Sequence, residues 1–169
     1  WNGLAVADIC FLGNTIVNTD QGKMKIKDVK AGKHTLNNQK IKHVTQTRLS
    51  RQNTLMLFKK NALAPGVPDR NTYVTKDHKI MYDNKMISAQ YFELWNPNVK
   101  QVKYKMNTLY NIALEGKGTM IANNMQTETL DPSNKLYKIY DRVAHLSDTD
   151  KVKFFENYNN QVRKYNKLA

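Results

Sequence analysis

The 169-residue sequence predicts a mostly β domain followed by two amphipathic helices. Three observations carry that reading. Between residues 15 and 130, short alternating or β-branched runs are broken at close intervals by Gly, Asn and Pro, the punctuation of an all-β region. After Asp131-Pro132 the apolar period changes: Leu136, Ile139, Val143 and Leu146 recur at three- and four-residue spacing, as do Val152, Phe155, Tyr158, Val162 and Tyr165. Hydrophobic residues make up 40% of the chain, with only seven glycines and four prolines, a globular composition that supports one domain with a real core.

Strands are predicted over residues 15–19, 24–29, 40–48, 54–59, 72–75, 79–82, 100–106, 108–115, 119–122 and 125–130. Between them Asp20-Gln21-Gly22, Asn37-Asn38 and Asp83-Asn84 supply residues that tolerate positive φ, and Gly116-Lys117-Gly118 reads as a further hairpin turn. Residues 62–69 are a loop, because Pro65 and Pro68 remove two ladder donors within four residues. Asn123 and Asn124 suit a turn between the last two strands. In the tail, Ser147 is a good N-cap for the second helix, with Asp148 and Asp150 in its first turn to complement the dipole.

The net charge is +13, which raises nucleic acid as a partner. Its distribution speaks against a specific site: residues 1–132 hold 19 basic and 10 acidic side chains, and residues 133–169 hold 8 and 4. The excess is spread over the surface rather than gathered in one helix or tail, so specific nucleic-acid binding is not expected. No apolar run approaches the roughly 20 residues of a membrane span. The chain opens on Trp1 rather than Met, which predicts a piece of a longer protein, and no leader is legible.

A single cysteine, Cys10, forbids an internal disulfide and leaves its thiol structural, reactive or available to another chain. The histidines His34, His43, His78 and His145 stand far apart and no CxxC is present, so neither a metal nor another cofactor is expected. The glycines of Gly116-Lys117-Gly118 lie between strands, not at a strand-to-helix junction, so they make no phosphate loop. What remains is Cys10 together with Thr75-Lys76-Asp77-His78. A thiol can attack the carbonyl of the peptide bond just before it when a donor weakens that bond at its nitrogen, and histidine suits the donor role near neutral pH. A threonine three residues ahead could fix the imidazole or share the amide. Alone, a TxxH tetrapeptide is weak evidence, since a histidine beside a strand is more often an ordinary surface or core one, and a lone cysteine is usually a small buried hydrophobe.

The order of the segments adds to this. Cys10-Phe11-Leu12-Gly13-Asn14-Thr15 with Ile16 to Thr19 and Gly22, then Ile26-Lys27-Asp28-Val29-Lys30-Ala31-Gly32, is followed by Thr75-x-x-His78. Leu109-Tyr110-Asn111-Ile112-Ala113-Leu114-Glu115 comes next, and Ile121 to Leu130 closes the series. Over about residues 10–130 this resembles the Hint (hedgehog/intein) domain family, with the Glu128-Thr129-Leu130 ending most similar to its bacterial and viral non-splicing branch. The chain departs from the family pattern at Lys33, where an aspartate is usual, and at Gly118 or Thr119, where a histidine is often found.

The resemblance implies a compact, pseudo-twofold β fold at residues 10–131, an upstream extein-like segment at 1–9 and a helical tail at 132–169. It implies an N-to-S acyl shift in which Cys10 attacks the Ile9 carbonyl, His78 assists departure of the Cys10 nitrogen and Thr75 holds the scissile peptide, giving a thioester. Asp77, Asn123 and Asn124 fall to turn or supporting positions. Splicing is not expected, because Glu128-Thr129 stands where a His-Asn pair would be required. The substrate would be the chain's own upstream segment. The alternative is a catalytically silent Hint fold serving as a structural or interaction module, its helical tail meeting other proteins of a larger assembly such as a virion. Retention of residues 1–9 and the β-branched Ile9 beside the scissile bond favour that alternative, and a virion or a secreted setting would suit either.

Overall fold

The computed structural model describes residues 9–48, 54–105 and 108–168. In chain order the strands are β1 (Phe11–Leu12), β2 (Ile16–Thr19), β3 (Gly22–Lys25), β4 (Thr35–Leu36), β5 (Gln39–Lys40), β6 (His43–Arg48), β7 (Thr54–Phe58), β8 (Thr72–Val74), β9 (Lys79–Tyr82) and β10 (Lys85–Ser88). A short helix α1 (Ala89–Phe92) precedes β11 (Val99–Lys103), β12 (Thr108–Ala113), β13 (Thr119–Ala122) and β14 (Met125–Glu128). The chain then enters helices α2 (Lys135–Val143) and α3 (Asp148–Leu168). None of the described helices is long and apolar enough to cross a membrane.

The strands form two antiparallel six-stranded sheets, in the orders β11-β7-β8-β1-β12-β6 and β10-β9-β14-β13-β2-β3, with β4 and β5 as a separate small hairpin. One core unites the inner faces: Phe11, Met56, Phe58, Val74 and Ile112 come from the first sheet, and Val17, Ile80, Met120 and Met125 from the second. Alternation decides which side chain points in, as in β14, where Met125 and Thr127 are buried and Gln126 is exposed.

Paired residues at positive φ close three tight hairpins: Asn37-Asn38 (φ 50° and 61°), Asp83-Asn84 (49° and 57°) and Asn123-Asn124 (45° and 67°). These are the left-handed values that two-residue turns need to match the strand twist. Gly116-Lys117-Gly118 is different from its prediction. It carries the chain from β12 in one sheet to β13 in the other, so it is a crossover and not a hairpin turn.

The predicted strand at 24–29 stops at Lys25. Ile26–Asp28 is one turn of 3-10 helix, in which the Val29 N–H bonds to the Ile26 carbonyl and Ile26 is driven into the core. The predicted strand at 40–48 breaks at Ile41, which is buried, and Lys42, whose N–H bonds to the Ala113 carbonyl. Met106, at the end of another predicted strand, lies outside the described residues.

The tail folds back on the first sheet. Leu136, Tyr137, Ile139 and Val143 of α2 and Phe155 of α3 pack with Ala113 and Leu130 into a second core. Asn134 caps α2 by accepting the Leu136 N–H at 2.8 Å, and Ser147 caps α3 by accepting the Asp150 N–H at 3.1 Å. Both are N-terminal donors that the helix cannot satisfy internally.

Candidate active site

Strand β1 is only two residues long, yet it lies inside the first sheet between β8 and β12. Phe11 pairs with Val74 on one side and Tyr110 on the other. One residue upstream, the same antiparallel register sets Cys10 beside Thr75 and Asn111. Burial explains why so short a strand holds: Cys10, Phe11 and Val74 are all inaccessible to water.

The Ile9–Cys10 peptide is held at both of its polar atoms. The Cys10 N–H donates to Thr75 Oγ1 at 2.9 Å, and the Thr75 N–H donates back to the Cys10 carbonyl at 3.1 Å. On the other side, Asn111 Nδ2 donates to the Ile9 carbonyl oxygen at 2.6 Å. The Asn111 amide cannot easily turn, because its Oδ1 accepts the Ile112 N–H at 2.8 Å. The Cys10 Sγ lies 3.4 Å from Thr47 Oγ1 on β6 and takes part in no disulfide.

His78 is fully buried, its ring centroid 4.3 Å from that of Phe11. Its N–H closes a turn on the Thr75 carbonyl at 3.2 Å, so the Thr75-x-x-His78 spacing is a loop geometry that sets both residues near β1. Nε2 lies 3.1 Å from the Glu128 carbonyl oxygen. A carbonyl only accepts, so Nε2 carries the hydrogen and Nδ1 of the neutral ring holds a lone pair. Nδ1 is buried without a hydrogen-bond partner. Desolvation pulls the imidazole down to about 4, against a smaller upward pull from the Glu128 carbonyl. At neutral pH the ring is therefore an uncharged base.

The other predicted residues stand further from the peptide. Asp77 Oδ1 accepts from Gln90 Nε2 at 3.0 Å, tying the Thr75-His78 turn to α1. Asn123 ties two sheets together: its Oδ1 accepts the Ile16 N–H at 2.8 Å and its Nδ2 donates to Thr72 Oγ1 at 2.9 Å. Asn124 Nδ2 donates to the Gly66 carbonyl at 2.8 Å. At the end of β14, Thr129 Oγ1 donates to the Gly118 carbonyl at 3.1 Å, while burial pushes the Glu128 carboxyl upward.

Sequence reasoning assigned no role to Asn111 or Thr47. Asn111 had a signal: a polar amide in the apolar run Leu-Tyr-Asn-Ile-Ala-Leu has to be hydrogen-bonded if buried, and it is fully buried. Thr47 had none, since a threonine in a strand is ordinary.

Comparison with known proteins accords with this geometry. No curated protein sequence is significantly similar to the chain. The structure is similar to a DnaB intein from Synechocystis sp. PCC 6803, with a TM-score of 0.51 and 11% identity over 72% of this chain and 99% of that one. It is also similar to the Ssp DnaB mini-intein variant M86, with a TM-score of 0.52 and 12% identity over 75% of this chain and 97% of that one. At such identities the likeness is one of fold. The Hint domain profile matches residues 9–134, three quarters of the chain and all of the residues around the Ile9–Cys10 peptide, and on that match the chain belongs to the Hint domain family.

Proposed function

We propose that this Hint domain cleaves its own chain at the Ile9–Cys10 bond through an N-to-S acyl shift, without splicing. The unit that carries the reaction is residues 10–131, with 132–169 an added tail and the upstream segment as substrate in cis. One observation carries the reading: the peptide before the buried cysteine is gripped at its carbonyl by Asn111 and at its N–H by Thr75. Any buried peptide needs partners at both groups, but here two polar side chains supply them instead of strand backbone, an amide at the carbonyl and a hydroxyl at the nitrogen.

Cys10 Sγ attacks the Ile9 carbonyl carbon as its S–H bond breaks. Negative charge then grows on the carbonyl oxygen, where the Asn111 amide already points, an arrangement that costs no reorganisation as the charge develops. The proton that leaves the thiol ends on the Cys10 nitrogen as the C–N bond breaks, a departure assisted by His78, whose backbone closes one turn with Thr75. The products are a thioester between Ile9 and Cys10 Sγ and an amine on Cys10. Water or an external thiol releases the upstream segment from the thioester. Thr75, accepting the N–H, keeps the nitrogen oriented. Thr129, its hydroxyl turned to Gly118, stands where splicing would need an asparagine.

The experiment fuses a reporter before Trp1, adds thiol or hydroxylamine and follows fragment masses for the parent, Cys10→Ala and His78→Ala. A fragment that ends at Ile9 in the parent and is lost in both variants supports the reading. No Cys10-dependent fragment after long incubation overturns it and leaves the domain a structural module.

A further inference from the structure

Strand β6 is the outer strand of its sheet, with β12 on one side only. Helix α2 covers its other side. The Gln46 N–H donates to Tyr140 Oη at 2.8 Å, and the same hydroxyl lies 3.5 Å from the Gln46 carbonyl. One residue further along α2, Asp141 meets Lys42 Nζ at 2.8 Å and His43 Nε2 at 2.9 Å. Tyr137, one turn earlier, donates to the Leu114 carbonyl at 2.6 Å. Residues 137, 140 and 141 share one helix face, so α2 lies along β6 and β12 as a clamp.

The next residue after Gln46 is Thr47, whose hydroxyl touches the Cys10 sulfur from the opposite face of the strand. Burial pushes the Tyr140 hydroxyl up to about 12, with a smaller upward push from Cys10. The family match ends at residue 134, one position before α2 begins, so the clamp is an addition to the domain unit.

We propose that Tyr140, by fixing the Gln46 backbone, is a positioning residue that sets the Thr47 hydroxyl against the Cys10 thiol, making the helical tail a tuning element for the nucleophile. The effect on cleavage rests on the self-cleavage reading; the effect on the thiol does not. An edge-strand amide with no partner would shift to find water, and the residue after it would shift with it.

The test uses the full chain with a cysteine-free reporter before Trp1 and reads two quantities: the pH titration of the single Cys10 Cβ resonance in protein labelled with 13C-cysteine, and the rate of thiol-induced cleavage. Tyr140→Phe removes only the hydroxyl. It is expected to move the thiol titration upward by about half a unit and to slow cleavage about three- to tenfold. Thr47→Ser keeps the parent titration, and Thr47→Val reproduces the Tyr140→Phe shift. In the Thr47→Val background, Tyr140→Phe adds nothing, because both changes remove the same contact. A titration unchanged in Tyr140→Phe, or effects that add fully in the double variant, overturns the proposal. Should Tyr140→Phe not fold, Asp141→Asn loosens the same clamp with the hydroxyl in place and is expected to shift the titration in the same direction; no shift there overturns it. If the parent does not cleave, the self-cleavage reading fails and the titration arm alone decides.

Discussion

Asn111 is the residue on which the site turns, because its amide is satisfied at both ends in a place where water cannot substitute. Asn111→Ala removes the only side-chain donor that touches the Ile9 carbonyl among the described residues, and is expected to slow cleavage about 100-fold, measured as single-turnover release of the upstream fragment. Asn111→Asp keeps the size but turns an acceptor toward an acceptor, and is expected to be at least as slow. His78 carries a separate prediction in pH. Its folded-state value of about 4 lies below the ordinary histidine value of 6.5, so between those limits the unfolded chain binds more protons than the folded one. Stability should therefore be fully present above about pH 6.5 and fall as pH drops toward 4, by about 3 kcal/mol in all. Urea melts across this range, compared with His78→Gln, check it: the variant should lose that part of the pH dependence.

Among the elements, those written in local chemistry were the ones most legible in the sequence. The hairpin turns at Asn37-Asn38 and Asp83-Asn84 follow from residues that accept positive φ, and both helices follow from apolar spacing and from the Ser147 cap. Asn134→Ala should cost about 1 kcal/mol by thermal melting, the usual worth of such a cap. What local chemistry did not show was where strands meet. Gly116-Lys117-Gly118 has a hairpin's composition, but composition does not tell whether the next strand joins the same sheet. The two-residue strand β1 has no period to detect, and its place between β8 and β12 is set by tertiary burial of Phe11. The same limit applies to the site. Cys10, Thr75 and His78 were legible as chemically apt residues in a familiar order; the structure joins Thr75 to the Cys10 N–H and sets the His78 ring against Phe11, the next residue. The Thr47 contact depends on β6 lying beyond β12, which pairing alone decides.

Over the whole molecule, one core between two sheets carries the fold, and the charge of the chain works against it. Ile80, fully buried where β9 meets β14, is a test of the first: Ile80→Ala should cost about 2–5 kcal/mol in denaturant unfolding. The net charge of +13 is spread along the chain, so repulsion among the basic side chains outweighs their attraction to the fewer acidic ones. Raising salt from about 10 mM to 0.5 M should raise Tm, since the Debye length falls from about 30 Å to a few ångströms. A flat or falling Tm would mean that local ion pairs such as Lys42–Asp141 outweigh the global repulsion.

The burial of Cys10 also bears on what would follow a cut. Scission at its nitrogen turns a peptide N–H into a new amino terminus in a site closed to solvent, facing the Thr75 hydroxyl. An ammonium there would be poorly hydrated, so the terminus should stay a neutral amine well below the usual amino-terminal pKa. Such an amine is itself a nucleophile, held within reach of the thioester carbon it has just left. The first step should then run backwards readily, and the upstream segment should depart only when a second nucleophile intercepts the thioester before the amine recaptures it.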